Sequence, residues 1–153
     1  MDRAKLFEEL MEILHKVSRG FNEYESIPRK YGVDESLYMV EAHLLTQIFE
    51  NEGIILSELG RRTGRTNGAI SQTITRLVNK GLVCKTISSE DSRSYIASLT
   101  EKGLQAYQYH KDFDDRNFRK LLSELNSIDD EDFITCIKVL SSISKFEFLN
   151  NEV

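Results

Sequence analysis

The chain is short of several features that mark other classes of protein. Of its 153 residues one is proline, two are cysteine and three are histidine. No apolar run approaches the roughly 20 residues that a membrane-crossing helix needs. The start, MDRAKLFEEL, is charged and amphipathic and lacks the apolar centre of a secretory signal. Cys84 and Cys136 are far apart, with no C-x-x-C pair and no histidine neighbour. Neither a disulfide nor a metal site is expected of them, and both should be buried or half-buried thiols. No phosphate loop, G-x-S-x-G, metal signature or Cys–His arrangement is present, so an enzyme has no support and no cofactor is expected. Repeats and low-complexity runs are also missing. The 40% apolar and 29% charged shares fit one soluble cytoplasmic domain with a real core and no membrane partner.

Net positive charge is lacking too. The formal charge is −5, which at first speaks against nucleic acid. Its distribution reverses that impression. Between Leu56 and Tyr95 lie seven basic residues (Arg61, Arg62, Arg65, Arg76, Lys80, Lys85, Arg93) and three acidic ones (Glu58, Glu90, Asp91). That segment is +4 and the rest of the chain is −9. A basic middle with acidic arms lets one surface meet phosphates while the remainder repels them.

Within the basic segment, Thr66–Lys80 reads TNGAISQTITRLVNK. Ile70, Ile74 and Leu77 fall on one stripe of a helix. The opposite face carries Gly68, Ser71, Gln72, Thr75 and Asn79, which are small or able to hydrogen-bond, and none is acidic. An ordinary surface helix carries Glu and Lys there. A helix that lies in the major groove and touches base edges wants a face of this kind.

The neighbouring residues supply a setting. Residues 2–24 form an amphipathic helix, interrupted at Gly20 if anywhere, and 26–36, with Pro28 and Gly32, form a connection. A second helix runs over 36–51 and ends at Asn51-Glu52-Gly53. A short helix over 54–63 is closed by Gly64, and Thr66 caps the next. That is a helix-turn-helix layout. Gly81 stops the long helix, and 82–87 and 95–99 read as strands around a polar turn, which makes a wing. Thr100 caps a helix reaching about Leu125. Ser127 with Asp130 reads as a capping-box variant opening a last helix through Phe133, Ile137 and Ile143.

The fold class expected is therefore mainly α with a small β-hairpin wing (α+β): a winged helix-turn-helix over 37–100 plus N- and C-terminal helices. The terminal stretches, 1–30 and 101–153, carry more apolar helix than a DNA-binding module requires. They are expected to pair two copies in a homodimer, the alternative being packing within one subunit.

These residues resemble the multiple-antibiotic-resistance-regulator (MarR) family of bacterial winged-helix transcription factors. The resemblance runs from about Ala42 to Gly103. It is carried by GRTNGAISQTITRLVNKGLV (Gly64–Val83), SSEDSRSY (Ser88–Tyr95) and SLTEKG (Ser98–Gly103), in that order and spacing. It implies a triangular homodimer on palindromic promoter DNA, acting as a repressor and in many members released by a small ligand. Asn67, Gly68, Ser71, Gln72 and Thr75 match groove-facing positions, and Arg65 belongs to the same DNA-binding set. Gln72 is the best candidate for direct readout, since its amide can bond adenine bidentately. Thr66 and Arg76 match phosphate contacts. Arg93 matches the wing arginine of the minor groove, with Asp91 as the acid that steadies it. The chain departs from the pattern at Ser92, where a first wing arginine is common, at Gly60, commonly alanine, and at Ile55, often a Thr cap.

Other readings stand beside these. His15, His43 and His110 could converge as a metal or ligand site, but they supply no H-x-x-x-H pair and a structural role is the plainer reading. Nothing near Cys84 guarantees the exposed, low-pKa thiol of a redox sensor. Phe21, Tyr24, Tyr38, Tyr107 and Phe118 are expected to be mostly core. By resemblance, some of them, with His43, could line a cleft for an aromatic or phenolic effector. The alternative function is a winged-helix protein-interaction module without direct DNA readout.

Overall fold

Among residues 2–89 and 91–146, which the computed structural model describes, six helices and two small antiparallel ladders follow one another. Glu90 of the wing motif and residues 147–153 of the expected C-terminal region lie outside them. The elements are α1 (Arg3–Ser26), β1 (Arg29–Lys30), β2 (Ser36–Leu37), α2 (Met39–Glu50), α3 (Leu56–Thr63), α4 (Asn67–Asn79), β3 (Val83–Ile87), β4 (Tyr95–Leu99), α5 (Glu101–Glu124) and α6 (Asp130–Ser144). The chain divides into two compact units, residues 1–113 and 114–153. The architecture is mainly α with a β-hairpin wing, as the periodicity predicts.

The core lies in the first unit, where α2, α3, α4, the wing strands and the start of α5 meet. Its floor is the α4 stripe: Ile70, Ile74 and Leu77 are all at most 1% exposed. Burying each contributes about 1.5–3 kcal/mol. Leu44, Leu45 and Ile48 of α2 and Leu59 of α3 close over them, and Leu82, Val83, Ala97, Ala106 and Tyr107 belong to the same cluster.

Two glycines fix how the elements join. Gly64 takes a left-handed φ of 64° between α3 and α4, and the Arg65 N–H returns to the Gly60 carbonyl at 2.9 Å, which makes the turn tight. At Gly103 an added Cβ would stand 1.9 Å from the Leu82 carbonyl oxygen. No side chain fits, so the glycine of SLTEKG lets α5 begin against the end of the α4–β3 turn. Thr100 caps that start by accepting from the Gly103 N–H at 3.0 Å while donating to the Gly81 carbonyl at 2.7 Å.

Several expectations needed revision. The connection 26–36 contains a ladder, with Arg29 paired to Leu37 and Lys30 to Ser36, because Tyr31 and Leu37 are buried and pull the chain back on itself. Helix α2 begins at Met39 rather than Ser36, since Glu41 reaches back to accept from the Tyr38 N–H at 3.0 Å. Helix α1 runs through Gly20 without a break. The start of α3 has no side-chain cap at Ile55, which bridges to Ile96 instead and adds a partial third strand to the wing. The cap of α6 is Asp129, accepting from the Asp132 N–H at 2.8 Å, not Ser127.

Both cysteines are exposed, against expectation. Cys84 follows buried Val83 on a two-stranded ribbon whose alternate face meets solvent, and α6, which carries Cys136, has no buried residue. Of the five aromatics expected in the core only Tyr107 is buried. Phe21, Tyr38 and Phe118 are exposed, and Tyr24 is half-buried beneath the Arg29 guanidinium. The helical pattern identified apolar faces but not what covers them. Helix α1 likewise buries no residue, and Leu6, Phe7, Ile13 and Val17 are exposed along it. In the second unit Phe118, Leu121 and Leu122 of α5 and Ile134 and Ile137 of α6 are exposed as well.

Candidate nucleic-acid interface

Helix α4 separates its two faces cleanly. Ile70, Thr73, Ile74 and Leu77 are buried, while Asn67, Gly68, Ser71, Gln72, Thr75 and Arg76 are exposed. Thr66 is the N-cap, its hydroxyl accepting from the Ala69 N–H at 3.2 Å, and its own proton remains available to a phosphate oxygen. The Thr75 hydroxyl donates to the Ser71 carbonyl at 2.8 Å, so toward solvent it offers an acceptor and a methyl group. A Cβ at Gly68 would meet nothing within 4 Å, so the fold itself does not demand glycine there. Its effect is to leave the first turn of α4 bare, where another molecule can approach the backbone. Gln72 and Ser71 stand beside each other, and both are exposed.

The wing is built by Asp91. Its carboxylate accepts from the Arg93 backbone N–H at 3.0 Å and from the Ser94 hydroxyl at 2.8 Å. These two bonds hold the carboxyl below its ordinary pKa, the Arg93 N–H first. The ladder runs in register from Val83–Leu99 to Ile87–Tyr95. The Ser88 N–H donates to the Ser94 carbonyl at 2.8 Å and closes the turn. Arg93 projects from it with its side chain 94% exposed and only a loose approach to Asp91, at 3.7 Å. Lys85 lies over the Tyr95 ring, 3.9 Å from its centre, which places one more cation on the ribbon.

The positive charge of this region is partly spent internally. Glu58 bonds Arg61 and Arg62 at 2.8 and 2.9 Å, and those bonds, Arg61 first, lower its pKa. Glu41, which lies outside the basic segment in sequence, accepts from Lys80 at 2.8 Å and stands 3.5 Å from Arg76. Sequence reasoning missed Glu41 altogether. Its only local signal was a Tyr-x-x-Glu spacing, which is a capping box without the usual Ser or Thr. Within the basic segment, among the described residues, Arg65 is the exposed guanidinium with no ion pair, and Arg93 keeps only the 3.7 Å approach of Asp91.

A cleft of about 350 Å³ lies between the end of α1, α2 and the α3–α4 turn, lined among others by Glu25, His43, Gln47, Arg62, Arg65 and Thr73. Of the six effector-cleft candidates, His43 lines it. Tyr107 is stacked on Phe49 with ring centres 4.2 Å apart, Tyr24 carries Arg29, and Phe21, Tyr38 and Phe118 face solvent. The rings of His43 and His110 come within 5.3 Å of one another, whereas His15 is exposed on α1.

Comparison with known proteins agrees with this geometry. Residues 37–95 match the model of the MarR family. The chain is 22% identical over 140 residues to the uncharacterized HTH-type transcriptional regulator YhjH of Bacillus subtilis, covering 86% of this chain and 80% of that one. A MarR protein from Peptoclostridium difficile is 26% identical, with a TM-score of 0.71 over 89% of this chain and 85% of that one. Streptococcus pneumoniae FabT, solved in complex with DNA, shares the fold at 21% identity and a TM-score of 0.67, covering 95% and 96%. With its bare-faced α4, its Asp91-braced wing and these relatives, the chain carries over residues 37–95 the winged helix-turn-helix region that matches the MarR family.

Proposed function

We propose that the protein is a homodimeric, sequence-specific repressor that binds palindromic promoter sites in the cytoplasm and is released by a small ligand. The observation that carries this is the exposed face of α4. Thirteen residues of helix present hydroxyls, amides and an arginine outward, with no acid among them. In this reading Gln72 and Ser71 read base edges and Asn67, Gly68 and Thr75 fit the groove. Arg65, Thr66 and Arg76 hold phosphates, and Arg93 enters the minor groove while Asp91 keeps the wing in shape.

The pairing of two copies is supported by α1 and α6, which bury no residue among the described ones and leave several apolar side chains exposed. Two recognition helices about 34 Å apart would then read two half-sites. The effector reading is supported by the cleft beside the α3–α4 turn: Arg62 and Arg65 line it, so an occupant there would touch the element that carries the DNA face. Its mixed polar lining suits a small aromatic or phenolic compound bearing an acidic group.

The test is binding to the region upstream of the protein's own gene, measured against salt. Tight binding that weakens steeply with salt and protects an inverted repeat is expected. Absence of salt-sensitive binding to any such fragment would remove the proposal.

A further inference from the structure

Glu41 is a charged side chain, 1% exposed, in the first turn of α2, where a lone carboxylate would be costly. Its two oxygens accept from Lys80 Nζ at 2.8 and 2.9 Å and from the Tyr38 N–H at 3.0 Å, and Arg76 Nε stands 3.5 Å away. Lys80 also donates to the Ser36 carbonyl at 2.9 Å. Arg76 and Lys80 are one turn apart on the same side of α4 and its cap, so the carboxylate grips the helix at two points. Apolar packing of Ile70, Ile74 and Leu77 is non-directional and leaves the roll of α4 loosely defined. A charged fork is directional. A hydrophobic side chain of similar size would fill this place at no desolvation cost, and the best-attested reason to keep a buried ion pair is to fix a register.

Arg76 shows what that register aims. Its Nη2 donates to Thr73 Oγ1 at 3.0 Å, the Thr73 hydroxyl donates to the Ala69 carbonyl at 2.9 Å, and Nε stands 3.5 Å from Glu41 Oε1. One of five guanidinium donors is thereby hydrogen-bonded on the protein side, and a second sits near a carboxylate. The other three belong to a side chain that is 52% exposed.

We propose that Glu41 is a positioning residue for DNA binding: from the interior it sets the roll of α4 and turns the outer donors of Arg76 toward a phosphate. This rests on the DNA-binding reading above. Coulomb's law alone makes the opposite prediction, since deleting a negative charge beside a phosphate-binding face should tighten binding.

The sign therefore decides. The probe is a random-sequence DNA duplex at low salt, because phosphate contacts bind any sequence. With the full-length chain, Glu41→Gln is expected to weaken binding by about tenfold and to flatten its salt dependence, although the protein has become more positive. In an Arg76→Ala background the same change should cost less than about twofold, because the effect runs through Arg76. Binding by Glu41→Gln that equals or exceeds wild type, or losses that multiply in the double variant, would overturn the proposal. Should Glu41→Gln lose its far-ultraviolet circular dichroism, Arg76→Lys decides: it keeps the charge and removes the fork, and undiminished binding would be equally fatal. Failure of the wild type to bind duplex at all would instead overturn the DNA-binding reading.

Discussion

At the scale of single residues, the protein separates groups that read from groups that position. Gln72 is exposed and uncommitted, and its amide offers a donor and an acceptor side by side. Gln72→Ala should cost about 1–3 kcal/mol of discrimination per half-site while leaving binding to random duplex nearly unchanged, measured as the ratio of the two affinities. Equal losses on both DNAs would show that Gln72 only positions. Asp91 is the contrasting case. Bonds from the Arg93 N–H and the Ser94 hydroxyl favour its ionised form in the folded wing, so its pKa is depressed below the ordinary 3.8. The stabilisation is fully present above that value and is lost as the pH falls through the lower, folded one. Carboxyl NMR titration should therefore place the Asp91 midpoint below 3.8, and a midpoint at or above 3.8 would contradict the braced wing.

At the scale of elements, the close approach at Gly103 is a sharp test of the fold. A methyl group there would meet the Leu82 carbonyl oxygen at 1.9 Å, so α5 or the α4–β3 turn must move. Gly103→Ala should destabilise the protein by about 3 kcal/mol, read from denaturant unfolding. Gly60→Ala is different: its Cβ would lie 3.0 Å from the Arg65 carbonyl and from Asn67 Oδ1. That crowding opposes a gain of about 1 kcal/mol in helix propensity, so stability should change little while Asn67 is displaced.

Elements with a period or a cap were legible in the sequence. The Ile70–Ile74–Leu77 stripe, the Thr66 and Thr100 caps and the wing strands all lie where periodicity and turn residues placed them. The β1–β2 ladder was not, because two-residue strands have no period. The α6 cap slipped from Ser127 to Asp129 because a serine hydroxyl and an aspartate carboxylate can each accept the first free N–H. The ion pair of Glu41 was not legible beyond its Tyr-x-x-Glu spacing, since its partner Lys80 is 39 residues away and a buried charge leaves no pattern. The exposed Phe21, Tyr38 and Phe118 show the remaining limit: amphipathic spacing says which face is apolar and is silent on whether the same chain covers it.

At the scale of the whole molecule, the apolar faces of α1 and α6 are more than a monomer of this size keeps exposed without a reason. The intact chain should sediment as a dimer, and Ile13→Asp with Ile137→Asp should halve the mass without loss of helical circular dichroism. A monomeric wild type would remove the pairing of recognition helices. The central claim is that α4 and the wing bind DNA through their arginines, and one measurement tests it most directly. The logarithm of the affinity for the upstream fragment is measured against the logarithm of salt concentration for wild type, Arg76→Ala and Arg93→Ala. A linear decline is expected, its slope reduced by about two for Arg76→Ala, one phosphate contact per protomer, and reduced as well for Arg93→Ala, which removes a cation from the minor groove. Slopes that coincide across the three proteins would contradict the account.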